Sequence, residues 1–350
     1  MPIAFDSLSA LLAHGFDTVI DVRSPAEFAE DHVPGAINLP ALTNAQRAEV
    51  GTIYKQVSPF DARKIGAVMV ARNVADHVDG PLRDKDGSWR PLVYCWRGGQ
   101  RSGSVAIILR QIGWRAETVE GGYQGFRRLV NAALYDAPLP HRLVLLDGNT
   151  GTAKTALLQR LREAGHQVLD LEALAGHRGS LLGATAAGQP AQKGFETALA
   201  LALHRLDPAR PVLVEAESSK IGRITLPPAL WQAMLAAERI VVTAPLTARA
   251  AFLTRAYSDV WAHPEELTER LNHLRRVRGH AVVDGWLTLL QAGDATALAE
   301  ALMVQHYDPA YAKSRRIDTR QVRAEIAADA LDTAGQARLA EAVAEVLNGM

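Results

Sequence analysis

Residues 1–135 alternate short apolar runs with stretches in which apolar residues recur at helical spacing. An alternation of strands and helices predicts an α/β domain with a mainly parallel sheet. The predicted strands are 17–23, 35–40, 91–96 and 117–120. The predicted helices are 25–30, 62–78, 102–112 and 125–135.

The pattern breaks at residues 137–141, where two prolines interrupt the periodicity, and then restarts. We therefore predict two domains, residues 1–137 and residues 138–350. In the second domain the predicted strands are 142–147, 167–171, 211–215 and 239–243. A helix is predicted at 154–164, an almost wholly helical part at 246–305, a polar and positively charged segment at 306–323, and a closing helix at 334–347.

Composition narrows the class of protein. The 350 residues are enough for two cores. Lys plus Arg and Asp plus Glu both number 38, and this zero net charge argues against a strongly basic nucleic-acid coat protein but leaves a local basic face open.

No apolar run reaches membrane-spanning length and the N-terminus lacks signal-peptide features, so we expect a cytoplasmic protein without membrane contact. The single cysteine fits a reducing compartment and excludes an intramolecular disulfide.

That cysteine, Cys95, ends an apolar run and is followed by Trp-Arg-Gly-Gly-Gln-Arg-Ser before a predicted helix. Backbone N–H groups at a helix start stabilise negative charge, and Arg97 and Arg101 add positive charge that favours the thiolate. Gly98 and Gly99 let the chain fold closely around the sulfur. An inert core cysteine is the alternative, but such a residue does not need these neighbours. The candidate catalytic residues are Cys95, Arg97 and Arg101.

Residues 95–102 resemble the active loop of rhodanese domains, Cys-x-Arg-x-Gly-x-Arg-[Ser/Thr]. Residues 21–28 and 32–40 resemble the N-terminal signature of that family, and residues 120–123 (Glu-Gly-Gly-Tyr) resemble its late Gly-Gly element. The resemblance implies a rhodanese-like fold whose cysteine carries sulfur or selenium. Because the chain has no second cysteine, an external acceptor must take the carried atom.

A second motif, Gly-Asn-Thr-Gly-Thr-Ala-Lys-Thr, follows a predicted strand and opens a predicted helix, which is the context of a Walker-type phosphate loop. A Gly/Thr turn without a ligand is the alternative. Ala153 stands where the motif has its last glycine, and costs about 1 kcal/mol if that position requires positive φ. Thr155 and Glu215, at the end of a Walker B-like strand, are candidate magnesium ligands, and Glu217 is a further candidate. The candidate phosphate-binding residues are Gly148, Asn149, Thr150, Gly151, Thr152, Lys154 and Thr155.

Four further segments, residues 170–180, 189–196, 217–222 and 307–311, come after the rhodanese-like domain. In this order they resemble the tRNA 2-selenouridine synthases over essentially the whole chain. The resemblance implies a P-loop NTPase-like second domain and action on the wobble 2-thiouridine of the tRNAs for lysine, glutamate and glutamine. The sulfur is first geranylated with geranyl diphosphate and is then replaced by selenium from selenophosphate. It further implies that Cys95 carries the selenium, that a selenophosphate-supplying enzyme is a candidate partner, and that no redox cofactor is bound.

Two other functions stay open at this stage. One is a plain rhodanese-type sulfurtransferase, whose second domain only binds RNA or a partner. The other is a P-loop ATPase or kinase that carries a rhodanese domain as a regulatory module. The first requires no prenyl diphosphate, and the second turns over ATP without Cys95.

A tRNA-binding surface is expected on local clusters of basic residues, because phosphate contacts dominate affinity for RNA. A splayed wobble base also needs a stacking partner, for which Trp261, Tyr307 and Tyr311 are candidates. The alternative is that these basic residues lie on solvated helices and pair with acids such as Glu265, Glu266 and Glu269. The candidate phosphate contacts are Arg275, Arg276, Arg278, Arg315 and Arg316, with Lys313, Arg320 and Arg323 nearby.

Overall fold

The computed structural model describes residues 2–179, 183, 187–317 and 321–350, without the side chains of residues 314–317. The chain divides into two compact units. Unit 1 comprises Met1–Ala137 and Pro190–Ala200, and unit 2 comprises Pro138–Gln189 and Leu201–Met350.

Unit 1 is built on a four-stranded sheet in the order β2-β1-β3-β4. Each neighbouring pair runs parallel, so the predicted parallel α/β architecture is confirmed. Each strand is shorter than its apolar run, although end residues of the runs still bond to neighbouring strands, as Val22 does to Tyr94 and Val119 to Val93. The strands are β1 (Thr18–Asp21), β2 (Ile37–Asn38), β3 (Pro91–Tyr94) and β4 (Glu117–Thr118).

Six helices surround this sheet, and local capping chemistry starts several of them. Ser24 and Glu27 form a capping box before α2, with Pro25 as its first residue. Thr43 and Gln46 form another before α3, a helix that the hydrophobic pattern missed because it buries no side chain. The helices are α1 (Leu8–Leu12), α2 (Pro25–Glu30), α3 (Asn44–Gln56), α4 (Pro59–Asp79), α5 (Gln100–Ile112) and α6 (Gly122–Tyr135).

The core of unit 1 lies between the sheet and these helices. Ile20 of β1 and Val93 of β3 are fully buried and share one apolar cluster with Leu109 of α5. Trp89 and Trp114 pack edge to face with ring centroids 5.1 Å apart. Cys95 belongs to the same apolar cluster, so the end of β3 is part of this core.

Residues 190–200 belong to unit 1, although the sequence placed them in the second domain. Arg127 of α6 accounts for this difference. Its guanidinium forms an ion pair with Glu196 and donates to the carbonyl of Lys193 at 3.1 Å and to the hydroxyl of Thr197 at 3.2 Å. Tyr135 donates a further hydrogen bond to Glu196 at 2.9 Å.

Unit 2 contains a five-stranded parallel sheet in the order β11-β10-β5-β7-β6, together with a short antiparallel hairpin. The central strand β5 is buried along its whole length. Strand β11 overlaps the predicted polar segment 306–323 at its first two residues and was not predicted, because this edge strand exposes most of its residues. The strands are β5 (Leu143–Gly148), β6 (Gln167–Leu169), β7 (Val212–Glu215), β8 (Lys220–Ile221), β9 (Ile224–Thr225), β10 (Glu238–Thr243) and β11 (Val322–Ala327).

Helices make up most of the rest of unit 2, although the helix α9 begins in unit 1 and only its residues from Leu201 onwards belong to unit 2. A π-helix, Met303–Tyr307, lies between α16 and α17. The predicted helical part between residues 246 and 305 is confirmed, with Trp286 in its buried core. No helix among the described residues is long and apolar enough to span a membrane. The helices are α7 (Lys154–Glu163), α8 (Leu171–Ala175), α9 (Gln192–His204), α10 (Pro228–Ala236), α11 (Leu246–Ala256), α12 (Ser258–Trp261), α13 (Pro264–Asn272), α14 (Arg275–Arg278), α15 (His280–Gln291), α16 (Ala295–Leu302), α17 (Asp308–Ile317) and α18 (Thr333–Asn348).

Candidate functional site

In unit 1 the cysteine loop joins β3 to the N-terminus of α5. Cys95 is only 3% exposed, and its Sγ accepts a hydrogen bond from the hydroxyl of Ser102 at 3.2 Å. Burial raises the pKa of the thiol, but hydrogen bonds from Ser102 and from the backbone N–H groups of Arg97 and Gly99 outweigh it and lower the pKa overall. The sulfur is therefore poised to ionise more readily than a free thiol.

The two arginines of the loop have other partners. Arg101 forms an ion pair with Glu27 at 2.9 Å, and Arg97 is exposed and donates to Gln124 at 3.2 Å. The sequence attributed the activation of the thiol both to backbone N–H groups of the loop and to these guanidinium groups. In the structure, the predicted backbone N–H donors lower the pKa of the thiol, and the hydroxyl of Ser102, which the sequence did not single out, is a further donor.

The Gly-Gly element packs directly against the loop. The backbone N–H of Tyr123 donates to the carbonyl of Cys95 at 2.8 Å. Gly122 has φ of 53°, and a Cβ there would collide with that same carbonyl. Below them the buried Arg23 pairs with Asp21 at 2.6 Å and stacks 3.8 Å from the centroid of the Tyr123 ring. The sequence motif did not single out this stacked arginine.

In unit 2 the phosphate loop joins β5 to α7. Ala153 has φ of 61°, the left-handed conformation that the missing glycine normally supplies, so the expected strain is present. The amino group of Lys154 donates to the carbonyl of Gly148 at 2.9 Å. The first N–H groups of α7 have no partner within the helix, and they point towards the position that a phosphate takes at such a terminus.

Two residues from distant parts of the chain hold this loop. Arg249 of α11 donates to the carbonyl of Thr150 at 3.1 Å and forms a two-bond ion pair with Asp308 at 2.7 and 2.9 Å. Asp308 also accepts from the side chain of Asn149 at 3.0 Å. We call this arrangement the Arg249–Asp308 clamp. Asn149 is thereby engaged in holding the loop, whereas the sequence placed it among the phosphate contacts.

Three carboxylates converge beside the loop. Within the described part of the chain, Glu172, Glu215 and Glu217 each offer an oxygen within 4.8 Å of the others. Thr155 donates to Glu215 at 2.8 Å and to Glu172 at 3.3 Å. Burial and the mutual repulsion of these charges raise the pKa of Glu172 well above its usual range. For Glu215, burial and the neighbouring carboxylates together outweigh the Lys154 charge, so its pKa is raised as well.

These carboxylates fit a magnesium ion. Hard divalent cations take carboxylate and hydroxyl oxygens, and the Oε2 atom of Glu215 is buried without a hydrogen-bond partner. Burial lowers the pKa of Lys154, but Tyr311 and the three carboxylates outweigh it, so the pKa of this amino group is raised overall. Glu172 was not among the predicted ligands, and in the sequence it was visible only as part of the segment 170–180.

A cavity of about 430 Å³ opens between the loop and these carboxylates. One side presents the phosphate loop, and another presents Glu172, Glu215 and Glu217. Tyr307 and Tyr311, which the sequence offered as stacking partners for a base, lie in its wall. The remaining apolar and aromatic lining residues are Ala156, Phe252, Leu253, Ala256 and Tyr257.

The candidate tRNA-binding residues differ in whether they are exposed or already paired within the chain. Arg275 pairs with Asp284 at 2.6 Å, and Arg278 donates to His306 at 2.9 Å, so both have intramolecular partners. The partner of Arg275 is thus an acid of α15 and not one of the three glutamates of α13. Arg276 and, in the polar segment, Lys313 and Arg323 are exposed. The side chains of Arg315 and Arg316, and the whole of Arg320, lie outside the described residues.

Comparison with known proteins gives a consistent family assignment. Residues 141–339 match the family model described as tRNA 2-selenouridine synthase AAA domain, and residues 4–129 match the rhodanese-like domain model. A tRNA 2-selenouridine synthase of Aeromonas salmonicida is 34% identical over 84% of this chain and 86% of its own length. One of Shewanella loihica is 32% identical over 86% of this chain and 87% of its own. A third, of Nitrosomonas europaea, is 38% identical over 71% of this chain, and that match spans 65% of the relative.

Proposed function

Since the chain belongs to the tRNA 2-selenouridine synthase family, whose members are tRNA-modifying transferases, we propose that it replaces the sulfur of wobble 2-thiouridine with selenium. The proposed route begins with geranylation of that sulfur by geranyl diphosphate. Selenium from selenophosphate then displaces the geranylated sulfur. The proposed substrates are the tRNAs for lysine, glutamate and glutamine, and a selenophosphate-supplying enzyme is the proposed partner.

The observation that carries this proposal is the mixed character of the phosphate-loop cavity. A protonated Lys154 and the N-terminus of α7 face it from one side, and aromatic and aliphatic residues line another. A prenyl diphosphate has the same two halves, because it joins a doubly charged head group to a hydrocarbon tail. The strain at Ala153 is compatible with such a small head group.

In the first proposed step, the sulfur of the base attacks C1 of the geranyl chain. The C1–O bond breaks, its electron pair leaves with the diphosphate, and the base loses its N3 proton. Lys154 and the N–H groups of α7 stabilise the negative charge that develops on the diphosphate. Thr155, Glu172, Glu215 and Glu217 would hold a magnesium ion, which when bound neutralises further charge on the leaving group.

In the second proposed step, the selenium of selenophosphate attacks C2 of the base, the C2–S bond breaks and the sulfur takes up a proton and leaves as geranyl thiol. Water then cleaves the Se–P bond, which releases phosphate and leaves 2-selenouridine. Alkylation favours this step, because a thioether-like group departs more easily than a free thiocarbonyl sulfur and makes C2 more electrophilic. Cys95 is the proposed selenium carrier, and its lowered pKa supplies the nucleophilic thiolate that such a role requires. Arg97 and Arg101 remain proposed as catalytic residues of this loop.

A local basic surface is proposed to bind the tRNA. Its support is the exposure of Arg276, Lys313 and Arg323, because exposed cations are free to meet phosphates. The ion pair of Arg275 with Asp284 favours a structural role for that residue. Arg278, Arg315 and Arg316 remain proposed contributors.

Substitution of Lys154 tests the proposal. We expect Lys154→Ala to slow geranylation of 2-thiouridine-containing tRNA by about 100-fold, the loss typical of a removed charge-stabilising donor. Mass spectrometry of digested nucleosides measures the product. Lys64→Ala, which changes an exposed lysine of α4, should react like the wild type. Normal geranylation by a folded Lys154→Ala variant, or ATP turnover that survives loss of Cys95, would instead favour one of the two alternative functions.

A further inference from the structure

We propose that the apolar wall of the phosphate-loop cavity, centred on Leu253, Ala256 and Tyr257, binds the hydrocarbon tail of the diphosphate substrate, whose end reaches a recess beside Met303. This inference rests on the proposed function, since it assumes a prenyl diphosphate at the phosphate loop. It adds the residues that recognise the tail and that limit its length.

The apolar wall is formed by residues on one face of α11 and by the residue that follows this helix. Positions 253, 256 and 257 are three and four residues apart, and such positions lie on one face of a helix. The side chain of Leu253 is buried, whereas that of Ala256 is exposed to the cavity. Apolar atoms along one helix face can therefore take a chain that leads away from Lys154.

A smaller recess of about 20 Å³ lies beside this cavity. Thr150, Leu253, Tyr257 and Tyr307 line both spaces, so the recess is adjacent to the phosphate-loop cavity. Its inner end is closed by Trp261, Ala299, Leu302 and Met303. A space of this size admits about one water molecule, so it has room for a methyl end group but not for a nucleobase.

The π-helix Met303–Tyr307 builds one side of this path. It places Tyr307 in the wall of the cavity and Met303, which is fully buried, at the end of the recess. Single π-turns of this kind occur frequently at functional sites. A methionine there can adapt to the shape of a tail because its side chain is unbranched and flexible.

Binding measurements with two head-group-matched probes test the proposal. Ala256→Trp fills the apolar half of the cavity from an exposed position, and Ala251→Trp places the same ring on an exposed position of α11 that does not line the cavity. We expect Ala256→Trp to weaken geranyl diphosphate binding by about tenfold, the loss that follows when two methylene groups stay in water. Its affinity for inorganic diphosphate should change less than twofold. Ala251→Trp should match the wild type with both probes.

Calorimetry on the full chain gives all of these dissociation constants. If the wild type binds geranyl diphosphate and Ala256→Trp binds it as tightly as Ala251→Trp does, the tail lies elsewhere and only this inference is overturned. If Ala256→Trp weakens both probes equally, the tryptophan obstructs the head group, and the tail assignment is likewise rejected. If the wild type binds inorganic diphosphate but not geranyl diphosphate, the proposed function itself loses its prenyl donor.

Discussion

At the scale of single residues, the two candidate sites depend on hydrogen bonds and backbone conformation more than on nearby formal charges. Hydrogen bonds from Ser102 and from loop N–H groups lower the pKa of the Cys95 thiol, whereas the sequence suggested loop N–H groups together with the two arginines. The sequence predicted the position of Cys95 because a strand, a Gly-Gly turn and a helix start are local features. It did not predict where the Arg101 side chain points, because its partner Glu27 lies 74 residues away.

At Ala153 the sequence again predicted the position of a feature but not the residues that surround it. The motif identified the position, and the structure confirms that it needs positive φ. Alanine in this conformation costs about 1–2 kcal/mol. The surrounding structure has to hold it there, and the motif could not name the residues that do so.

Substitution of Ser102 tests the origin of the thiol's acidity. We expect Ser102→Ala to raise the pKa of Cys95, because the mutation removes the hydroxyl hydrogen bond that stabilises the thiolate while burial continues to oppose ionisation. The pH profile of iodoacetamide alkylation, followed by mass spectrometry, reports the thiolate fraction. The midpoint should lie below that of a free thiol in the wild type and shift upwards in Ser102→Ala.

Ser104→Ala is the matched control, since it removes an exposed hydroxyl from the same helix. Its profile should overlay that of the wild type. An unchanged midpoint in Ser102→Ala would mean that another group sets the acidity of the sulfur, and the guanidinium of Arg97 would then be the first to examine.

At the scale of elements, α11, α17 and the phosphate loop are joined by the Arg249–Asp308 clamp. Asp308 begins α17 directly after the π-helix, and Arg249 lies on the helix that also carries the apolar wall. The sequence predicted the strand, loop and helix of the phosphate site from local pattern. It could not predict the clamp or the wall, because local pattern does not show which distant segments meet. The two residues of the clamp are 59 positions apart. It also missed β11, whose exposed edge carries little hydrophobic signal.

Removal of the clamp should loosen the phosphate loop. Arg249 is 5% exposed, so Asp308→Ala leaves its charge buried without its main partner. We expect the free energy of unfolding of unit 2 to fall by about 3 kcal/mol, the lower end for breaking a buried ion pair. The affinity for inorganic diphosphate should fall as well, because Asn149 and Thr150 lose their anchor. Urea unfolding and calorimetry measure the two effects.

Glu341→Ala removes an exposed carboxylate of α18 and is expected to change neither quantity. The clamp assignment would be wrong if Asp308→Ala were as stable as this control. It would also be wrong if stability fell while diphosphate affinity stayed the same, because the clamp would then not act on the loop.

At the scale of the whole molecule, two candidate sites with different chemistry reside in two compact units. Unit 1 carries an activated thiol, and unit 2 carries a phosphate-binding cavity with a carboxylate cluster and an apolar wall. The sequence predicted this division because each motif is short and follows its own strand. It did not predict that residues 190–200 pack with unit 1, since that depends on Arg127, which lies 69 residues before its partner Glu196.

The central claim is that unit 2 geranylates the sulfur and that Cys95 is needed only for the later entry of selenium. Mass spectrometry of tRNA nucleosides from cells that express Cys95→Ser in place of the wild type tests it most directly. The account predicts that 2-selenouridine disappears while geranylated 2-thiouridine accumulates, because the phosphate-loop cavity is unchanged. Loss of the geranylated nucleoside in a folded variant, or persistence of 2-selenouridine, would contradict it.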